Sequence, residues 1–141
     1  MKFKWLAAAV LCASAWLTAA AEAAVVARIS LSQQRMDVSV DGSLAYSWAV
    51  STARRGYVTP TGSYRPTSTE RMWYSRKYDM SPMPYSVFFK GGYAVHGTNY
   101  LRSLGRPASH GCIRLHPTNA RIFYRLVRAQ GLARSRVVIV R

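Results

Sequence analysis

Cysteine is nearly absent from this chain: there are two, Cys12 and Cys112. The first lies in an N-terminal stretch that reads as removable, which leaves Cys112 with no intramolecular disulfide partner. A lone thiol in an exported protein is a buried core residue, an intermolecular bridge or a reactive nucleophile, and its neighbours must decide. Acidic residues are also scarce, with 5 Asp and Glu against 20 Lys and Arg and a formal net charge of +15. That excess favours anionic partners such as membrane surfaces, acidic polymers, nucleic acid or carboxylate-bearing substrates, without choosing among them. Repeats, linkers and low-complexity tracts are missing after residue 24, so no internal domain boundary is drawn. Long hydrophobic runs are missing too, because the apolar stretch from Trp5 to Leu17 falls short of the roughly 20 residues that span a bilayer.

What is present at the N-terminus is a charged start at Lys2 and Lys4, that short apolar body, and a small-residue exit at Ala19-Ala20-Ala21-Glu22-Ala23. Residues 1–23 therefore read as a secretory signal peptide cut after Ala23. The expected location is the periplasm or cell envelope, and residues 24–141 form one domain, expected as a monomer. Lipid attachment at Cys12 is disfavoured, since Ala9-Val10-Leu11 puts no small residue directly before it.

Within the domain, Met36, Val38 and Val40 alternate with polar residues, as do Leu44, Tyr46, Trp48 and Val50, and Asp41-Gly42 lies between them. Two period-2 runs around Asp-Gly predict a β-hairpin, because both turn positions tolerate positive φ. A second turn is predicted at Thr59-Pro60-Thr61-Gly62 and a third at Gly91-Gly92, between Val87-Phe88-Phe89 and Tyr93-Ala94-Val95-His96. Pro117 opens the one clear helix, with Ile122, Phe123, Leu126 and Val127 as its apolar stripe and Gly131 as its stop. Arg121, Arg125 and Arg128 form a separate, solvated stripe. Val137-Val138-Ile139-Val140 reads as a last, buried strand. The fold class is mostly β, with one helix packed against the sheet near the C-terminus.

The chemistry concentrates between His96 and His116, where two histidines besides His96, the lone thiol and several glycines and arginines share one loop. Ser109, His110 and Gly111 before Cys112, and Arg114 after it, are not core-like neighbours. Cations lower a thiol pKa and raise its thiolate fraction, so a reactive cysteine is expected. Ser109 is no rival nucleophile, because G-x-S-x-G is absent and no Asp lies near; it is assigned hydrogen bonding at the substrate site. His110, Cys112 and His116 share a period-2 face, but H-x-C-x3-H is not a common zinc spacing and a metal is disfavoured. Arg114, two residues from Cys112, falls on the same side of an extended segment and carries a fork suited to a carboxylate. Trp73, Tyr74, Tyr78 and Tyr85 either line a groove or belong to the core.

His96-Gly97-Thr98 followed by Ser109-His110-Gly111-Cys112-Ile113-Arg114 resembles the signature of the YkuD-type L,D-transpeptidase catalytic domain. Val50-Ser51-Thr52, Thr59-Pro60-Thr61-Gly62, Met83-Pro84-Tyr85-Ser86 and the helix-plus-valine-strand end look like the same domain, over most of residues 25–141. The resemblance implies a β-sandwich-like mixed sheet. It also implies that Cys112 is the nucleophile, His96 its base and the Gly97 carbonyl the third member. His110 is implied as part of the site, and the backbone N–H groups of Gly111 and Cys112 are the oxyanion-hole candidates.

The implied partner is the peptidoglycan stem peptide: Cys112 attacks the amide after an L-centre, forms a thioester, and an acceptor amine resolves it without a cofactor. Water as acceptor gives a carboxypeptidase or wall-protein release, and a non-catalytic cell-wall or anion-binding module is the rival from another class. The basic surface also suits an anionic envelope surface. Nucleic acid is set aside, because no binding motif accompanies the charge.

Overall fold

A computed structural model describes residues 22–141, so the expected leader lies outside the described residues except for Glu22 and Ala23. The folded unit begins at Ala24, which is buried and donates its N–H to the Arg134 carbonyl at 2.7 Å. Two sheets follow. The first contains β1 (Val25–Ser30), β2 (Arg35–Val40), β3 (Ser43–Ala49), β4 (Gly62–Tyr64) and β9 (Ser135–Val140), in the order β3-β2-β1-β9-β4. The second contains β5 (Ser68–Ser75), β6 (Ser81–Lys90), β7 (Tyr93–Gly97) and β8 (Ile113–Leu115), in that order. Both sheets are mixed: β1 pairs β9 in parallel and β7 pairs β8 in parallel, while their other pairings are antiparallel. The mostly-β reading with one helix, α1 (Pro117–Gln130), therefore holds.

The Asp-Gly hairpin forms as expected, with φ 49° at Asp41 and 81° at Gly42 joining β2 to β3. Gly91-Gly92 likewise turns β6 into β7. The turn placed at Thr59–Gly62 is not there. The chain reverses earlier, where Tyr57 N–H donates to the Arg54 carbonyl at 3.0 Å and Gly56 takes φ 90°. Thr59 is buried instead, for a reason that belongs to the site. The long β5–β6 hairpin gives no period-2 signal in the sequence because β5 is exposed on nearly its whole length, with Met72, Trp73 and Tyr74 all open to solvent.

One core joins the layers. Val25, Ala27, Ile29, Met36, Val38, Val137 and Ile139 come from the first sheet, and Val87, Phe89, Val95, Ile113 and Leu115 from the second. Ala120, Phe123, Tyr124 and Val127 come from α1. The helix packs on β6 and β7. Tyr124, rather than Ile122 or Leu126, completes its buried face, meeting Tyr85 ring to ring at 5.5 Å. Arg121, Arg125 and Arg128 are exposed, as expected. The consequence for function is that β7 and β8 run parallel and in register through the core, which sets what can stand beside Cys112.

Candidate active site

The β7–β8 register pairs Val95 with Ile113 and His96 with Arg114, and Cys112 is the residue just before β8. Alternation then puts His96, Arg114 and Cys112 on one face of the sheet, with histidine and cysteine one step apart. His96 is buried, and its Nδ1 lies 2.6 Å from the Gly97 carbonyl. A carbonyl only accepts, so Nδ1 carries the proton and Nε2 is left as the acceptor. The Gly97 carbonyl thus fixes the tautomer and orientation of the ring. Burial, opposed by that hydrogen bond and assisted by Arg114, brings the His96 pKa down to about 4, so the ring is a neutral base at neutral pH.

Cys112 contradicts one expectation. Burial raises its pKa above the ordinary value, and neither the Ala94 backbone hydrogen bond nor the Arg114 charge offsets it. The basic neighbours in the sequence suggested a thiolate, but desolvation is the larger effect because the side chain packs on Met83, Phe88 and Ala94. Its Sγ lies 3.7 Å from the Gly92 carbonyl, and no hydrogen bond to His96 is formed. The resting groups are a neutral thiol and a neutral imidazole, so the thiol could act as a nucleophile only if its proton left as it attacked.

The turn that carries Cys112 is held by two hydroxyls. Ser109 Oγ donates to the Cys112 carbonyl at 2.6 Å and accepts from the Gly111 N–H at 3.0 Å. Ser109 is buried and spends its hydroxyl on this turn, so it is not a substrate contact as expected. The same bond occupies the Gly111 N–H, which removes it as an oxyanion-hole donor and leaves the Cys112 N–H of the two. Thr59 braces the turn from below: its Oγ1 accepts from the Ala53 N–H at 3.0 Å and donates to the Gly111 carbonyl at 2.8 Å. Sequence reasoning placed Thr59 in a turn and missed this. The signal was a Thr-Pro-Thr-Gly cluster, which reads equally as surface.

His110 is clasped between rings. Tyr78 stacks on it at 4.0 Å and 8°, and Tyr57 meets it edge-on at 4.7 Å. These two ring contacts hold the His110 side chain in place between the loop after β3 and the tip of the β5–β6 hairpin. Desolvation first, then Arg54, Arg114 and Lys77, lower its pKa. The aromatic residues left open by the sequence now divide. Tyr78 caps the site from the β5–β6 hairpin, Tyr85 belongs to the core, Trp73 rests on Phe88 and Tyr74 stays exposed.

Arg114 is half-buried, donates to the Ala108 carbonyl at 3.4 Å and lies over the Tyr100 ring. No carboxylate is among the groups that shift it. Arg114→Lys should therefore lower turnover at least about tenfold more than Arg128→Lys, since an ammonium does not reproduce a bidentate fork. Equal steady-state rates for the two variants would make Arg114 a solvated cation. His116, the last histidine of the loop, caps α1 instead, its Nδ1 accepting from the Thr118 N–H at 3.1 Å.

Comparison with known proteins places the chain in a family. The YkuD family, the L,D-transpeptidase catalytic domain, matches residues 24–139. An L,D-transpeptidase from Mycobacterium tuberculosis H37Rv superposes with TM-score 0.71 at 30% identity, over 84% of this chain and 58% of its own. L,D-transpeptidase 3 from Mycobacterium tuberculosis, solved in complex with a faropenem-derived adduct, gives 0.71 at 28%, over 84% and 60%. An L,D-transpeptidase from Stackebrandtia nassauensis gives 0.74 at 25%, over 92% and 62%. The chain thus spans about three-fifths of the length of these relatives. No curated protein matches it.

Proposed function

Because the chain belongs to the L,D-transpeptidase (YkuD) catalytic-domain family, we propose that it is an exported enzyme of the periplasm or cell envelope that transfers peptidoglycan stem peptides through a thioester on Cys112. The observation that carries the reading is the fixed tautomer of His96, whose Nδ1 is committed to the Gly97 carbonyl while Nε2 is free on the face that Cys112 shares. Cys112 Sγ attacks the amide carbon as its proton passes to His96 Nε2. The tetrahedral oxyanion forms against the Cys112 N–H. Its collapse expels the terminal D-amino acid, which takes the proton from the imidazolium. An acceptor amine then attacks the thioester, and the thiol is restored. With water as acceptor the same steps give a carboxypeptidase. The net positive charge suits an anionic envelope.

One observation favours the rival, non-catalytic module: the resting thiol faces the Gly92 carbonyl and is partly packed in an apolar cluster. Intact mass after incubation with purified muropeptides separates the readings. Wild type should gain the acyl mass, and the transferred product should appear once an acceptor amine is added. Cys112→Ala should gain nothing. Faropenem should likewise leave a covalent mass increment on wild type and none on Cys112→Ala, as the faropenem-derived adduct of the Mycobacterium tuberculosis relative suggests. Neither adduct on wild type would put the binding module in front. The mass of protein recovered from the envelope should begin at Ala24, and a retained residue 1–23 would refute export with cleavage.

A further inference from the structure

Three cations meet at the nucleophile loop, and each is held on a tyrosine ring. The Arg54 guanidinium lies 4.9 Å from the centre of Tyr57, the Lys77 ammonium 5.5 Å from Tyr78, and the Arg114 guanidinium 5.7 Å from Tyr100. Tyr57 and Tyr78 are the two rings that clasp His110. Two of the three residues are tied to the same place by hydrogen bonds, since the Arg54 backbone N–H donates to the Ser109 carbonyl at 2.9 Å and the Arg114 guanidinium to the Ala108 carbonyl at 3.4 Å. Three separate parts of the chain, the loop after β3, the tip of the β5–β6 hairpin and β8, thus bring one positive charge each to residues 108–112.

Cation–tyrosine contact alone marks nothing in so basic a protein: Lys90 on Tyr64 and Arg128 on Tyr124 make it elsewhere. The convergence is the uneven feature. These charges repel: Arg54 acts on Arg114, and Arg54, Arg114 and Lys77 all oppose a proton on His110. A repulsive gathering beside a nucleophile is relieved when an anion enters, and two guanidinium forks suit carboxylates better than point charges do. We propose that Arg54 and Lys77 join Arg114 in a carboxylate-reading subsite, which selects acyl donors that carry at least two free carboxylates. This rests on the acyl-transfer reading above and adds Arg54 and Lys77 as specificity-determining residues.

The test uses the full folded domain and two synthetic tetrapeptide donors that differ only in whether the carboxylates away from the scissile bond are free or amidated. Wild type should acylate the free-acid donor with a kcat/KM roughly 10 to 100 times that for the amide, the range of one or two charge-assisted contacts. Arg54→Gln and Lys77→Gln should each shrink that ratio about tenfold, and so should high salt for the exposed Lys77. Arg128→Gln, which removes a remote cation on a tyrosine, should leave the ratio alone. Because the ratio is taken within each variant, a loss of folded protein cancels. A wild-type ratio near one, or a ratio that Arg54→Gln and Lys77→Gln do not move, would overturn the subsite. If wild type acylates neither donor, the transpeptidase reading fails instead. Calorimetric Kd values of both peptides for Cys112→Ala, with and without Arg54→Gln, then decide the subsite: equal affinities sink it, and a free-acid preference lost with Arg54→Gln supports it.

Discussion

Acylation of Cys112 will hold its rate as the pH is lowered to roughly 5 and fall along an acid limb near pH 4, where His96 takes up its proton. An ordinary histidine base would lose activity near its usual pKa of 6.5. The thiol side is displaced the other way, so iodoacetamide alkylation should rise only above the ordinary thiol range. Mass-resolved time courses across pH measure both limbs. His96→Ala should cost on the order of a hundred- to ten-thousandfold in acylation. An acid limb near 6.5 would mean that His96 titrates as an ordinary imidazole, and alkylation already complete at neutral pH would mean that Cys112 rests as a thiolate.

The same shift predicts a stability change, and its sign follows from proton counting. A histidine whose folded pKa lies below its unfolded value binds its proton first in the unfolded chain, so acid favours unfolding. The contribution of His96 is complete above pH 6.5 and is lost as the pH falls toward 4, by about 3 kcal/mol in all. Urea midpoints at the two ends of that window, compared with His96→Gln, read it out.

Gly111→Ala is expected to be the most damaging alanine substitution among the glycines. A Cβ there would stand 2.6 Å from Tyr93 Cε1 and 2.8 Å from the Val58 carbonyl oxygen, at a φ of 136° that side chains rarely adopt. Backbone cannot yield as a flexible side chain does, so the turn through Ser109, Gly111 and Cys112 must move. The loss should be about 2 to 4 kcal/mol of stability, with acylation slower by about a hundredfold from misplacement of the thiol. Gly92→Ala is the contrast, because nothing lies within 4 Å of its Cβ and its φ is not positive. Thermal denaturation should place Gly92→Ala within about 0.5 kcal/mol of wild type. Equal losses for the two would show that the Gly111 turn is free to adjust.

Much of this was determined locally, where the signal is short-range. Asp41-Gly42 between alternating runs requires its hairpin, Pro117 and Gly131 bound their helix, and the motifs around His96 and Cys112 carry the family resemblance that implies a base and a nucleophile. The exposed β5 strand was hidden for the same reason: without a buried face it leaves no period in the sequence, and only its pairing with β6 makes it a strand. Tertiary structure alone decided the rest. Whether Cys112 rests as thiol or thiolate depends on desolvation against the charge of Arg114, and burial is a property of the packed whole. That the Gly111 N–H serves Ser109 and not a substrate, that Thr59 braces the turn, and that Arg54 and Lys77 reach the loop from distant segments are facts of long-range closure. The sequence by itself determined which groups could react; the parallel pairing of β7 with β8, formed across a long loop, decided which of them meet and in what protonation state.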